Sequence, residues 1–313
     1  MEILAPVKNL LTWIKIVDSW VWEIYFWVVS DSWEKEYWFK TILNRRDWNL
    51  ANISSYEDWK KLVDYARSKW VKSYVTLNNS PIINNEELII KEIENTIKIN
   101  PDALIVKDIY IANLIRKVDK NIEIHCSSLN QVINSESIIF WIENFNISRM
   151  IFPRNISVNE IKNLCSKFPD LEFEIFIKND WCYNSDWVCS SLHLEWLKDW
   201  IAYVCNREVA YRSDEEDFNE KYSVLTKNMN DCKVCMISEI YDIKNLVSLK
   251  IVWREKGLEI ILNDIKFIQS ALNFYRLAEN KKEFMDFNII NHQKNIKKSC
   301  NHKNCEIYNM YYN

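Results

Sequence analysis

Residues 54–78 read SSYEDWKKLVDYARSKWVKSYVTLN, and the division of this stretch decides the fold. Its first part, 55–69, is an amphipathic helical pattern. It opens on Ser54-Ser55 with Glu57-Asp58 close behind, a helix start with acidic residues at the positive end of the dipole. Its last part, 72–77 (KSYVTL), is a β pattern. Trp70 stands between them in the slot just past a helix end, where glycine is preferred. Helix, tight turn and strand together form the repeating half of an α/β unit.

Working outward, the same alternation recurs along the chain. Strands are expected at 2–5, 23–28, 72–77, 103–106, 122–126, 149–152, 172–177 and 248–252. Helical patterns are expected near 86–98, 108–118, 131–144, 157–167, 237–246 and 258–277; Ser157 and Glu160 have the spacing of a capping box. Eight strands, each followed by a helix, imply a mainly parallel sheet, and that number predicts a closed TIM-like (β/α)8 barrel. A doubly wound open sheet is the alternative. The barrel domain is expected over 1–280. A Lys- and Asn-rich, loosely attached tail at 281–313 carries Cys300, His302 and Cys305. The polar stretch 205–232 breaks the pattern as an excursion or lid would.

The chain has 313 residues, 48% apolar and 27% charged, with a net charge of −4. That balance belongs to a soluble globular protein and gives no reason for non-specific nucleic-acid or membrane binding. No apolar run approaches the roughly 18–20 residues of a membrane span, and the first residues lack a signal-peptide pattern. A cytoplasmic location is the default expectation. Nine cysteines in such a chain favour thiols or metal ligands over a disulfide framework.

One feature of the composition is abnormal. There is 1 glycine and there are 15 tryptophans, where a chain of this length ordinarily holds roughly 22 glycines. Trp20, Trp48, Trp70 and Trp187 all stand in turn-like contexts. The expectation is that many of the tryptophans are UGA codons meaning glycine in the source organism. Glycine and tryptophan together make 16 residues, about 5%, close to ordinary glycine usage.

Cysteines concentrate after the seventh strand. Cys182 and Cys189 follow it directly, Cys205 follows IAYV, and Cys232 and Cys235 precede the last barrel helix. In a barrel the strand C-termini form the rim where sites are built. Four thiolates there would hold an iron–sulfur cluster or structural zinc. Only Cys232-Lys-Val-Cys235 has zinc-like spacing, and the wider gaps suit a cluster better. The alternative is that these are small buried apolar side chains, as expected for Cys126 and Cys165. His125 ends a strand pattern and would reach the rim. Arg254, just after LKIV, would serve there as an anion clamp, and His193 is expected on the surface. Protease, P-loop and dinucleotide motifs are absent, even with Trp read as Gly.

ILAPV (3–7), DSWVWEIYFW (18–27), KWVKSYVTLN (69–78), PDALIVKD (101–108), IEIHCSSLNQVINS (122–135), RMIFPRNISVNEI (149–161), LEFEIFI (171–177), WCYNSDWVC (181–189) and LKIVWR (249–254) occur in that order. Together they resemble the U-32 peptidase family of collagenase-like proteins over about residues 2–275. Trp20, Trp27, Trp70, Trp187 and Trp253 stand where that family has glycine. The resemblance implies a TIM-like barrel and a 4Fe-4S cluster on Cys182, Cys189, Cys205 and Cys235, with Cys232 the alternative fourth ligand. It also implies oxygen-independent hydroxylation of tRNA, rRNA or a ubiquinone precursor, or peptidase activity as the family name says. His125 and Arg254 would face the substrate. A third reading is a non-catalytic scaffold binding zinc. Expected partners are a small-molecule or RNA substrate and a second family member in a heterodimer, with no membrane. The chain departs from the family pattern at Val252, where the family has Glu, and in CNRE after Cys205.

Overall fold

The computed structural model describes residues 1–27, 30, 35, 55–78, 86–130, 132, 134–154, 156–178, 232–252, 257–296 and 300. Eight strands close a parallel barrel in sequence order: β1 (Glu2–Pro6), β2 (Glu23–Trp27), β3 (Lys72–Leu77), β4 (Ala103–Val106), β5 (Glu123–Cys126), β6 (Arg149–Ile151), β7 (Glu172–Lys178) and β8 (Leu246–Ile251). β8 returns to pair with β1, with Ile3 opposite Leu249, so the open doubly wound sheet is excluded. All eight strands lie where the β patterns place them.

The described helices surround the barrel: α1 (Leu10–Val17), α2 (Tyr56–Ser68), α3 (Glu86–Lys98), α4 (Ile109–Val118), α5 (Ser135–Phe145), α6 (Val158–Lys167), the single turn α7 (Ile237–Ile240), α8 (Leu258–Tyr275) and α9 (Lys281–Ile296). Their starts follow local chemistry. Asn9, Ser55, Asp108, Asn134 and Ser157 each accept a bond from a first-turn amide, and Ser157 with Glu160 completes the capping box. Apolar faces such as Trp59, Leu62, Val63 and Ala66 of α2 then pack on the outer side of the sheet.

Side chains alternate along each strand, and here that alternation separates two cores. Val75 and Leu77 of β3 join the large apolar layer between strands and helices, whereas Tyr74 belongs to a small cluster inside the barrel with Leu4, Tyr25, Trp27, Phe176 and Val252.

Two expectations are corrected. The helix expected over 237–246 stops at Ile240, and Asn245 is committed elsewhere. Its side-chain amide donates to the carbonyls of Cys165, Phe168 and Leu171 at 3.0, 2.8 and 3.1 Å, fixing the α6–β7 turn before β8 begins. The loosely attached segment expected from 281 is a packed helix over Lys281–Ile296, with Phe284 and Met285 buried and Phe287 stacked on Phe274. The stretch 205–231 lies outside the described residues.

Asn245→Ala strips that amide from three carbonyls at once. It is expected to lower stability by about 1–3 kcal/mol, read as a shift in the midpoint of urea unfolding with an unchanged slope.

Candidate functional site: a charged column in the barrel

β2 and β6 are diametrically opposite in the strand order, so their side chains meet only across the lumen. They do so through charge. The Arg149 guanidinium on β6 lies 2.8 Å from a Glu23 carboxylate oxygen on β2. It also holds Glu172 at 2.7 Å and Glu174 at 3.5 Å on β7. Glu23 further accepts the Tyr74 hydroxyl and the Ser248 hydroxyl, each at 2.6 Å. Lys250 on β8 closes the set, its ammonium 2.6 Å from Glu174 and 4.3 Å from the centre of the Tyr25 ring.

Arg149, Glu23 and Glu174 are at most 1% exposed. Burying charges is tolerable only when they are paired and their remaining hydrogen-bonding capacity is used. Burial pushes the Glu23 carboxyl up, but the Arg149 charge and the bonds from Arg149, Ser248 and Tyr74 outweigh it and hold the group below the usual carboxylate range. Burial draws the Lys250 ammonium below the ordinary lysine value, against the pull of Glu174.

The column has a direction. Glu23, Arg149 and Glu172 are the first residues of their strands, so they lie at the N-terminal end of the barrel. Lys250 is the penultimate residue of β8, toward the C-terminal mouth where barrel enzymes build their sites. Tyr25, Phe176 and Val252 surround this upper part, and Arg154, just past β6, stacks its guanidinium 4.6 Å from the Phe176 ring centre. Thr76, at the upper end of β3, is 1% exposed and its hydroxyl has no hydrogen-bond partner.

The cysteine region meets the rim at one place. Cys232 bridges antiparallel to Lys178, the last residue of β7. The next residue is tied twice: the Lys233 amide donates to the Ile177 carbonyl at 2.9 Å, and its ammonium binds the Arg154 carbonyl. Cys232 and Lys233 therefore lie beside the end of β7. Cys232 and Cys235 are half-buried there, against the outer apolar layer. Cys182, Cys189, Cys205, Arg254 and His193 lie outside the described residues, as do His302 and Cys305. No group of three or more metal-ligating side chains occurs among the described residues.

His125 is not at the rim. It is 1% exposed inside the barrel, edge-on to the Tyr74 ring at 4.6 Å, with Nε2 3.8 Å from Glu123 and Nδ1 without a hydrogen-bond partner. β5 ends one residue later at Cys126 but begins only at Glu123, so position 125 points into the lumen below the mouth. Burial, followed by the Arg149 charge, keeps it below the ordinary histidine value. Cys126 and Cys165 are packing residues, as expected. Both are buried, and burial pushes their thiols up, that of Cys165 to about 12. Sequence reasoning missed Glu23, Arg149, Glu174 and Lys250. Their signal was a charged residue inside otherwise apolar strands, EIYFW, RMI, EFEIFIK and LVSLKI, doubled at alternate positions only in β7.

Arg149→Met leaves Glu23 and Glu174 buried without their shared cation. The expected loss is about 3–5 kcal/mol, measured by thermal and urea unfolding. Acid acts on the same group. Folded Glu23 binds its proton less tightly than the unfolded chain does, so its contribution is complete above the ordinary value near 4.5. It is lost as pH falls through that value toward the lower folded one. A stability–pH profile should fall in this window and be flatter there for Glu23→Gln, measured as its own slope.

No described helix is long and apolar enough to cross a membrane. The family profile of peptidase family U32 matches residues 41–313. Among curated proteins, a tRNA hydroxylation protein P of Haemophilus influenzae is 33% identical over 140 residues, 45% of this chain and 29% of that protein. The Escherichia coli protein of the same name is 28% identical over 131 residues, 42% of this chain and 29% of its own. A collagenase of Porphyromonas gingivalis is 21% identical over 294 residues, 88% of this chain and 66% of that one. The match thus spans under a third of the tRNA hydroxylation proteins' length. A solved U32 peptidase superimposes with a TM-score of 0.42 at 8% identity, covering 57% of this chain and 69% of that one. The profile covers most of the chain, and the chain belongs to peptidase family U32.

Proposed function

We propose that this chain is an enzyme of the oxygen-independent hydroxylation type, acting on tRNA and carrying a 4Fe-4S cluster on Cys182, Cys189, Cys205 and Cys235. The observation that carries the reading is the pairing of Cys232 with the end of β7. The strand pairing at Lys178 puts that point beside β8, within two residues of Lys250. Relatives named for tRNA hydroxylation support the reaction type. Thiols are the donors that iron–sulfur clusters take, and Cys235 is half-buried, which suits a ligand more than an inert core position. A cluster would supply one-electron chemistry.

The chain's own residues divide the remaining work. Lys250 with Glu174 is an ion pair inside the lumen on the mouth side of Arg149 and would hold a proton. Lys250 against the Tyr25 ring and Arg154 against the Phe176 ring put positive charge toward the mouth, where it favours an anionic substrate. Arg254 follows Val252 as the anion clamp for a phosphate. His125, buried beneath Tyr74, orients that ring and does not touch substrate. A second family member completing a heterodimer and a cytoplasmic setting belong to the same proposal.

A second reading, peptidase, is favoured by the collagenase relative that 88% of this chain matches. Against it, the described lumen holds no hydroxyl or thiol paired with a histidine. The Ser248 hydroxyl is engaged by Glu23 deep in the barrel. A zinc-binding scaffold rests on the Cys232–Cys235 spacing.

Anaerobic purification followed by iron, sulfide and zinc analysis separates the three. Iron and sulfide near four each per chain are expected. The tRNA of cells expressing the protein should gain one oxygen atom in a nucleoside. Lys250→Met should keep the iron and lose that product by on the order of 10²-fold or more. Metal-free protein that digests gelatin would instead establish the peptidase, and stoichiometric zinc without iron the scaffold.

A further inference from the structure

Four described residues other than glycine adopt the left-handed backbone: Trp20 (φ 63°), Trp70 (φ 61°), Asn100 (φ 62°) and Asn146 (φ 45°). Each follows the C-terminus of a helix that leads into a strand, after α1, α2, α3 and α5. Asparagine tolerates this conformation because its short polar side chain bonds locally. Tryptophan has no such compensation, and a bulky side chain at positive φ is an outlier.

The hydrogen bonds around Trp70 identify the turn. The Val71 amide donates to the Ala66 carbonyl at 2.9 Å and the Trp70 amide to the Arg67 carbonyl at 3.0 Å. This pair defines the Schellman motif, in which Trp70 holds the position that glycine usually fills. The indoles gain nothing in return: Trp20 is 84% and Trp70 89% exposed. Meanwhile the chain's single glycine, Gly257, sits at φ −59°, where any residue fits.

Other tryptophans behave in the opposite way. Trp59 is 1% exposed on α2 and packs edge-on against Phe26 and Tyr56 at 5.9 and 5.1 Å. Trp141 is 3% exposed on α5 and lies 4.9 Å from Phe145. Both lie within helices, where glycine is costly.

From this split we infer that Trp20 and Trp70 are glycine in the protein its own cells make, encoded by UGA, whereas Trp59 and Trp141 are tryptophan encoded by UGG. The structure thus sorts these four positions among the fifteen written tryptophans, which composition alone does not do. The inference does not depend on the reaction proposed above.

The gene and the native protein test it together. UGA is expected at positions 20 and 70, UGG at 59 and 141, and glycine masses in the native peptides that span 20 and 70. UGG at 20 or 70, a tryptophan mass in either peptide, or UGA at 59 or 141 overturns it. A chain made with tryptophan at all four positions gives a second readout. Trp20→Gly and Trp70→Gly should each raise its melting temperature by on the order of 2 °C, and Trp59→Gly should lower it. An unchanged or lower melting temperature for both turn variants also counts against the inference.

Discussion

Arg149 is the constraint around which the barrel interior is organised. Its guanidinium spans the lumen from β6 to β2 and also holds two carboxylates of β7. A buried cation of this kind fixes its surroundings because every carboxylate it faces must keep its geometry or be stranded without water. Tyr74 and Ser248 are committed through Glu23, and Lys250 through Glu174. Five strands are thereby tied inside the barrel in addition to their backbone ladder. The apolar layer outside, between strands and helices, is more extensive but less specific: it requires shape, where the lumen requires named partners.

The consequence for chemistry is a graded interior. At the N-terminal end charge is matched by several partners and serves the fold. Toward the mouth the matching thins to one carboxylate and one ammonium beside aromatic rings. A lysine held below its ordinary value in such a place is well suited to hold or release a proton. The change from structural to available charge happens along Glu174, which serves Arg149 with one oxygen and Lys250 with the other.

Much of the fold was legible because strand and helix periods differ and alternate cleanly. EIYFW, KSYVTL and EFEIFI declare themselves, and capping residues such as Ser157 and Glu160 mark helix starts. The lumen was not legible by the same rules. In an open sheet, Glu23 and Glu174 would read as solvent-facing positions; closure of the barrel turns them into buried charges, and only the partner across the lumen explains them. His125 was misplaced for a related reason, since being near a strand end in sequence says little about height when the strand is four residues long. α9 was missed because its apolar residues do not form a clean stripe. Its buried side chains include Asn288, Asn291 and His292 beside Phe284 and Met285. The three cysteines of the 179–231 segment remain legible in sequence alone.

The bridge between Lys178 and Cys232 holds the end of β7 and the start of the next described segment side by side. Two chain points fixed this closely by backbone pairing make a cheap seam, because the entropic cost of closing a flexible loop between them rises only logarithmically with its length, about 0.6 kcal/mol per doubling. The barrel can therefore accept insertions at the end of β7 without any change in strand register.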